Sequence, residues 1–222
     1  MRRVVVLAVL TLAMALPIAA WANIITTNQG GTIAITGMFG TNGMGTIGTT
    51  TITSKGSQLT SWTGLGTSQT GHLGLVNFAT GALATGSVSG GGTFAGGGYF
   101  DIIGTGPWAS ALTGMHCGSG CDLFTGSFTG PVNWILDSAG KQKSFYTLSG
   151  DLTGTLFNGR MVTNAQTSQN IQISSKGQLN QGIGHISMGG TTIVTPEPGT
   201  LGLLGTGLVA VAGMFRRKLI KG

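Results

Sequence analysis

Phe124-Thr125-Gly126-Ser127-Phe128-Thr129-Gly130-Pro131-Val132-Asn133-Trp134-Ile135-Leu136 is the stretch whose pattern declares the fold class of this chain. Its even positions carry Phe124, Phe128, Val132, Trp134 and Leu136, with glycines at 126 and 130, while most odd positions are polar. Successive side chains of a strand point to opposite faces, so a period of two turns one apolar face toward a core. The two glycines leave gaps in that face, where the strand can bend or a large neighbour can fit. Pro131 has no N–H to give to a ladder and therefore belongs at a bulge or a sheet edge.

The pattern continues on the C-terminal side. A turn is expected over Asp137-Ser138-Ala139-Gly140-Lys141, followed by a second alternating run. Tyr146, Leu148, Leu152 and Leu156 share one face of it, and Thr147, Ser149, Asp151, Thr153 and Thr155 share the other. Asn158-Gly159 is a strong hairpin signal, and a type I′ turn is expected because both residue types tolerate positive φ. The returning strand, from Arg160 to Ile173, is long and mostly polar. Residues 124–173 thus form a three-stranded antiparallel meander.

On the N-terminal side, residues 94–103 form another strand with Phe94, Phe100 and Ile102 inward, interrupted by Gly90-Gly91-Gly92 and Gly96-Gly97-Gly98. Short Thr/Ile strands are expected at 32–36 and 46–53. Ile52-Thr53-Ser54-Lys55-Gly56 recurs as Ile173-Ser174-Ser175-Lys176-Gly177, and each copy is expected to end a strand in a Lys-Gly turn that guards an edge with charge. No segment of the body supports a long amphipathic helix, and no regular repeat of solenoid length appears. The expected fold is all-β, an antiparallel β-sandwich or flattened barrel.

Both ends of the chain read differently from this body. Arg2 and Arg3 precede an apolar run from Val4 to Ala20, and Ala20-Trp21-Ala22 puts small residues where a signal peptidase inspects them. Residues 1–22 are therefore expected to be a signal peptide cleaved between Ala22 and Asn23. At the other end, Pro196-Glu197-Pro198 must be extended and exposed. The uncharged run to Phe215 follows, short but long enough to cross a bilayer as a helix. Arg216, Arg217 and Lys218 close it and would stay on the cytoplasmic side. The body, 23–195, then lies outside the cytoplasm.

Residue for residue, the tail 196–222 resembles the PEP-CTERM sorting signal of exported proteins in Gram-negative bacteria that make extracellular polysaccharide. The resemblance covers the tripeptide, the span and the basic terminus, and nothing of the body. It implies that Pro196, Glu197 and Pro198 are recognised by an exosortase-type membrane protease and that Arg216, Arg217 and Lys218 are the stop. It further implies transient residence in the inner membrane, then the cell surface, outer envelope or extracellular matrix.

Removing the two ends changes the charge argument. The whole chain has 11 Lys and Arg against 5 Asp and Glu, a net +6. Six of those cations, Arg2, Arg3, Arg216, Arg217, Lys218 and Lys221, belong to the targeting segments. The body keeps five (Lys55, Lys141, Lys143, Arg160, Lys176) against four aspartates (Asp101, Asp122, Asp137, Asp151), a balance of +1. A basic pI ordinarily suggests nucleic acid as a partner; here it follows from topology, so nucleic acid is not expected. The body is rich in Gly, Thr, Ser, Asn and Gln but retains enough aromatic residues to fold.

Groups that carry chemistry are few. Cys117-Gly118-Ser119-Gly120-Cys121 holds the only two cysteines, and in an exported protein a local disulfide is expected. A metal site on His116, Cys117 and Cys121 is the alternative. His72 and His185 stand alone among glycines. The four aspartates could in principle supply a glycosidase pair, but Asp101 and Asp151 read as outward strand positions and Asp122 and Asp137 sit next to turns. No nucleophile elbow, zinc-protease helix or phosphate loop is present. No catalytic residue, metal or cofactor is expected. Two function classes follow: a non-catalytic surface or biofilm-matrix protein with extracellular polysaccharide as a candidate partner, or a secreted polysaccharide-binding or polysaccharide-hydrolysing β protein. Trp62 and Trp108 are candidate sugar-stacking residues if exposed and core residues otherwise.

Overall fold

The computed structural model describes residues 23–37, 45–140, 143–174 and 184–194. Contacts divide the chain into two compact units, Asn23–Thr195 and Met1–Ala22 with Pro196–Gly222. All described residues belong to the first unit. The signal peptide ending at Ala22, the Pro196-Glu197-Pro198 motif, the apolar run behind it and the basic residues 216–218 lie outside the described residues.

The strands are β1 (Ile24–Thr36), β2 (Thr51–Gly64), β3 (Thr67–Ala79), β4 (Leu83–Ser87), β5 (Gly91–Phe94) and β6 (Gly97–Gly104), then β7 (Cys121–Phe128), β8 (Val132–Ala139), β9 (Lys143–Leu156), β10 (Met161–Ser174) and β11 (Gly184–Val194). A short helix, α1 (Gly106–Thr113), separates β6 from β7. Neighbours pair in the order β1-β2-β3-β6-β7-β9-β10-β11, and β11 returns to β1 with Ile193 opposite Ile24. Every pairing is antiparallel. The result is a closed eight-stranded meander barrel, which has no free edge along its circumference and an interior just wide enough to be filled by side chains.

The three remaining strands are continuations of barrel strands past a crease. Along one edge of β9, Phe128 of β7 faces Leu152, and Asn133 of β8 then faces Ser149. Residues 124–136 are therefore one bent strand with its irregularity at 129–131, where Pro131 was expected to interrupt the ladder. β5 and β6 are split in the same way at Ala95 and Gly96, and β3 and β4 at residues 80–82. The three breaks meet. A Cβ on Gly81 would collide with the carbonyls of Ala95 and Gly96, and one on Gly96 would crowd those of Phe128 and Gly130. Glycine at the crease lets three backbones approach where the sheet turns away from the barrel.

Alternation predicts the interior well on one side. Phe124, Phe128, Val132 and Trp134 are buried, as are Phe94, Phe100 and Ile102, and Tyr146, Leu148, Leu152 and Leu156. Of the two expected glycine gaps, a Cβ on Gly126 would strike the Phe124 ring, as would one on Gly154, and one on Gly150 the Phe128 ring, whereas Gly130 sits at the bend with open space beside it. Phe100 meets Phe78 in a stacked arrangement and Phe124 and Phe128 edge-on, with centroids 5.9, 6.4 and 6.1 Å apart. Such geometries follow from the ring quadrupole.

On the opposite side of the interior, a polar cluster is set among the buried isoleucines of β1, β10 and β11, such as Ile24, Ile33, Ile171, Ile186 and Ile193. Asn28 Nδ2 donates to Ser57 Oγ at 2.8 Å and to Gln169 Oε1 at 2.9 Å, and Gln169 Nε2 donates to Thr167 Oγ1 at 2.9 Å. Thr167 reaches the Thr191 hydroxyl at 3.1 Å. All five side chains are buried. Gly189 lies flat beneath them, since a Cβ there would overlap Gln169 Oε1 and Asn28 Oδ1.

Each end of the barrel is covered. Trp108 and Leu112 of α1 pack on the core, with the Trp108 ring 6.0 Å from that of Trp62 and its Nε1 donating to Leu73 O at 2.9 Å. The helix starts with Pro107 in its first turn and ends at Gly114, whose φ of 73° is left-handed. At the other end, Trp134 stacks on Tyr146 at 4.4 Å, and the β4–β5 connection folds onto the pair. Trp134 Nε1 donates to Val88 O at 2.7 Å and the Tyr146 hydroxyl to Ser89 O at 3.1 Å.

Several expectations need correction. The chain turns at Asn158-Gly159, but only Gly159 has positive φ, at 78°. Leu156 O accepts from Gly159 N, and Leu156 N donates to Arg160 O. This is a three-residue loop with a type I turn and a glycine bulge, which also matches the right-handed strand twist. Lys55-Gly56 does not end a strand; it is a bulge inside β2, with Gly56 at φ 70° and a register shift between Ser54 and Ser57. The second copy, Lys176-Gly177, lies outside the described residues. Residues 32–36 are the end of a 13-residue strand carried through a bulge at Gly30 and Gly31, and residues 46–50 are a turn before β2 begins at Thr51. Barrel closure gives β1 a partner on each edge, which local pattern does not reveal.

Candidate functional site

Cys117 and Cys121 are joined in a disulfide, so neither is available to a metal. Among the described residues no group of three or more His, Cys, Asp or Glu side chains converges. The bridge closes the loop that returns α1 to β7. Cys117 is buried, its N–H donates to Ser110 Oγ at 2.9 Å and its carbonyl accepts from Gly106 N at 3.0 Å. Its role here is to hold the end of the barrel closed. Asn23 lies directly before β1, beside the end of β11.

The aspartates are spread over the outer face. Asp101 and Asp122 sit on neighbouring strands, and the Asp101 carboxyl is held above the usual carboxylate range, first by burial and then by the Asp122 charge. One Asp101 oxygen is enclosed and has no hydrogen-bond partner. Asp137 accepts from the Thr147 hydroxyl at 2.8 Å. Trp62 is fully buried and Trp108 packs on the core, so Trp62 is excluded from sugar stacking and Trp108 serves as an end cap.

A groove of about 480 Å³ crosses the outer face of β8, β9, β10 and β11. Register builds it from two transverse rows. Asn133 lies opposite Ser149, Ser149 opposite Ser168, and Ser168 opposite Gly190. In the adjoining row, Asp151 lies opposite Gln166 and Gln166 opposite Thr192, with Pro131 at the crease closing the end. The first row is a floor of small side chains. The second is taller, and Gln166 Nε2 donates to Asp151 Oδ1 at 3.1 Å.

Several outward hydroxyls elsewhere on the sheet meet in cross-strand pairs, though others, such as Thr125 opposite Thr155, do not. Thr27 meets Thr60 and Ser61 at 2.9 and 2.7 Å, Thr36 meets Thr51 at 2.8 Å, and Thr85 meets Thr93 at 2.7 Å. Cross-strand pairs of this kind stabilise the sheet. The side chains of Asn133, Ser149, Ser168 and Thr192 make no hydrogen bond with any described residue. Sequence alternation places Asn133, Ser149 and Asp151 outward, but bringing them beside Ser168 and Thr192 requires the pairing of four strands, one of which, β10, reads as mostly polar.

Neither the curated proteins nor the solved structures contain a match to this chain. One family model does match: residues 194–218 fit the one described as the PEP-CTERM protein-sorting motif. The matched segment begins at the last residue of β11 and contains Pro196, Glu197 and Pro198 together with Arg216, Arg217 and Lys218. The chain therefore carries, directly behind the strand that closes its barrel, the PEP-CTERM sorting motif of exported exosortase substrates.

Proposed function

We propose that this protein is a non-catalytic component of the cell surface or biofilm matrix, exported as a precursor and handed over by exosortase cleavage near Pro196-Glu197-Pro198. The barrel is the cargo, and contact with extracellular polysaccharide is its work. The observation that carries this reading is the outer-face groove, whose lining offers hydroxyl and amide groups and a single carboxylate, Asp151. Glycoside hydrolysis ordinarily needs two carboxyl groups flanking the bond, one as acid and one as base or nucleophile. A surface with one carboxylate and many neutral partners suits binding.

A polysaccharide hydrolase is the second reading, and what favours it is the Asp101 carboxyl, raised by burial and by the neighbouring Asp122, since a raised carboxyl beside a second one is a feature of glycosidase acids. The two readings separate in one experiment on the whole protein in an exosortase-bearing host. The expected outcome is barrel recovered from the outer envelope or matrix fraction, without turnover of a neutral and acidic glycan panel. Changing Pro196-Glu197-Pro198 to alanines should leave an uncleaved, membrane-bound form. Release of cleaved barrel from that variant would sink the sorting step, and turnover abolished by Asp101→Asn would replace binding with hydrolysis.

A further inference from the structure

We infer that the groove across β8–β11 is the glycan site and that it takes a neutral, hydroxyl-rich chain lying across the strands. This rests on the proposed role as a polysaccharide-contacting protein and assigns that role to one place. Three features of the groove converge.

The first is unmet hydrogen-bonding capacity. Ser149 and Ser168 lie opposite each other on neighbouring strands, as Thr27 and Ser61 do elsewhere, yet they are not hydrogen-bonded to each other. Asn133 extends the same row with an amide that is also unpaired among the described residues. Each hydroxyl can donate once and accept twice, and an amide offers two donors and an acceptor. A row of such groups matches a ligand that presents vicinal hydroxyls, which both donate and accept.

The second is charge. Asp151 is the single ionisable group in the lining, and no Lys or Arg stands there to neutralise an acidic ligand. One Asp151 oxygen is engaged by Gln166, leaving the other free to accept from a ligand hydroxyl. Charge-assisted hydrogen bonds of this kind are the stronger class. The same carboxylate repels uronic acids, sulfates and phosphates, so the groove selects against acidic polysaccharide.

The third is form. The groove spans four strands, roughly 14 Å at the usual strand spacing, and its floor is built from serine and glycine, so a chain can lie flat across it. Ile135, two residues along β8 from Asn133 on the same face and opposite Thr147, is 52 % exposed beside the groove. It supplies an apolar shoulder for the carbon face of a sugar ring.

The barrel 23–195 contains every strand of the closed sheet and the whole of its core, so it can be tested on its own. Titration calorimetry would compare a neutral β-glucan hexasaccharide and a neutral mannan hexasaccharide with an oligouronate of equal length. At least one neutral ligand should bind, and the oligouronate should bind at least about tenfold more weakly, a difference of one logarithmic step in affinity. Asn133→Ala and Asp151→Asn should each weaken the neutral complex several-fold, and Ser168→Tyr, which fills the floor from an exposed position, should abolish it. Unchanged thermal unfolding would show that all three variants fold. Tighter oligouronate binding, no binding of either neutral ligand, or binding untouched by the three variants would overturn the assignment. Matrix recovery of the Ser168→Tyr protein in cells reports separately on the broader role: loss of glycan binding with normal export leaves the exported-surface reading standing.

Discussion

The two sides of the barrel interior solve the same packing problem with different chemistry. On the β3–β9 side, Phe78, Phe100, Phe124 and Phe128 fill the space and glycines recede beneath their rings. On the β10–β11–β1 side, an asparagine, a glutamine, two threonines and a serine form a bonded cluster among isoleucines, and Gly189 recedes beneath the amides. The first side gains stability from apolar area removed from water. The second gains little net energy from its bonds, but it would lose heavily if any member were left unpaired, because a buried polar group without a partner bears its full desolvation cost. One side tolerates imprecision, and the other demands a single register.

The largest effect should come from the aromatic side. Phe100→Ala removes a ring that touches three others and should destabilise the barrel by about 3–5 kcal/mol, read as a lower urea midpoint with unchanged slope. A loss below about 1 kcal/mol would mean that neighbouring rings collapse into the gap, as occurs where a site can relax. That result would make the aromatic side the more adaptable of the two.

Next comes the polar side. Gln169→Met keeps the volume but leaves the Asn28 amide and the Thr167 hydroxyl short of a partner, at a cost of about 2 kcal/mol. Adding Asn28→Leu should recover part of that loss, since removing both members of a pair is cheaper than removing one. A double variant less stable than the sum of the two single changes would show that the amides contribute net stability rather than register alone.

The smallest effect belongs to the outer wall behind the aromatic side. Asp101 has its carboxyl raised by burial and by Asp122. A carboxyl whose folded-state pKa exceeds its unfolded value binds its proton more tightly when folded, so stability falls as pH rises from the ordinary carboxylate range through the raised value. Asp101→Asn should therefore raise the thermal midpoint modestly at pH 7 and leave it unchanged at pH 3, where both forms are neutral. An equal change at both pH values would assign the effect to packing and not to charge.

The same contrast explains what local pattern could reveal. Where apolar and polar residues alternate, as from Phe124 to Leu136 and from Tyr146 to Leu156, the inward face was legible before any strand was paired. From Thr163 to Gln172 most residues are polar, and only Ala165 and Ile171, of the same parity as Thr167 and Gln169, mark that set as inward and Gln166 and Ser168 as outward. A shift of one residue exchanges the two sets. The groove was hidden for that reason: half of its lining belongs to β10 and β11, whose outward residues are decided by the Asn28–Gln169 contact across 141 positions of chain. The helix α1 is not legible from periodicity although its Gly106-Pro107 start and Gly114 stop are ordinary signals, because eight residues are too few to show a helical period.

Strand formation, the inward aromatic face, the glycine gaps, the disulfide partners and the C-terminal sorting motif were all encoded within short windows, where alternation, local ring closure or a contiguous motif carries the information. Barrel closure, the alignment of three breaks into one crease, the internal amide cluster and the row of unpaired groups on the outer wall depended on which strands meet. Those features arise from contacts between residues far apart in the chain, and their energies exist only once β11 has returned to β1 and every strand has both neighbours.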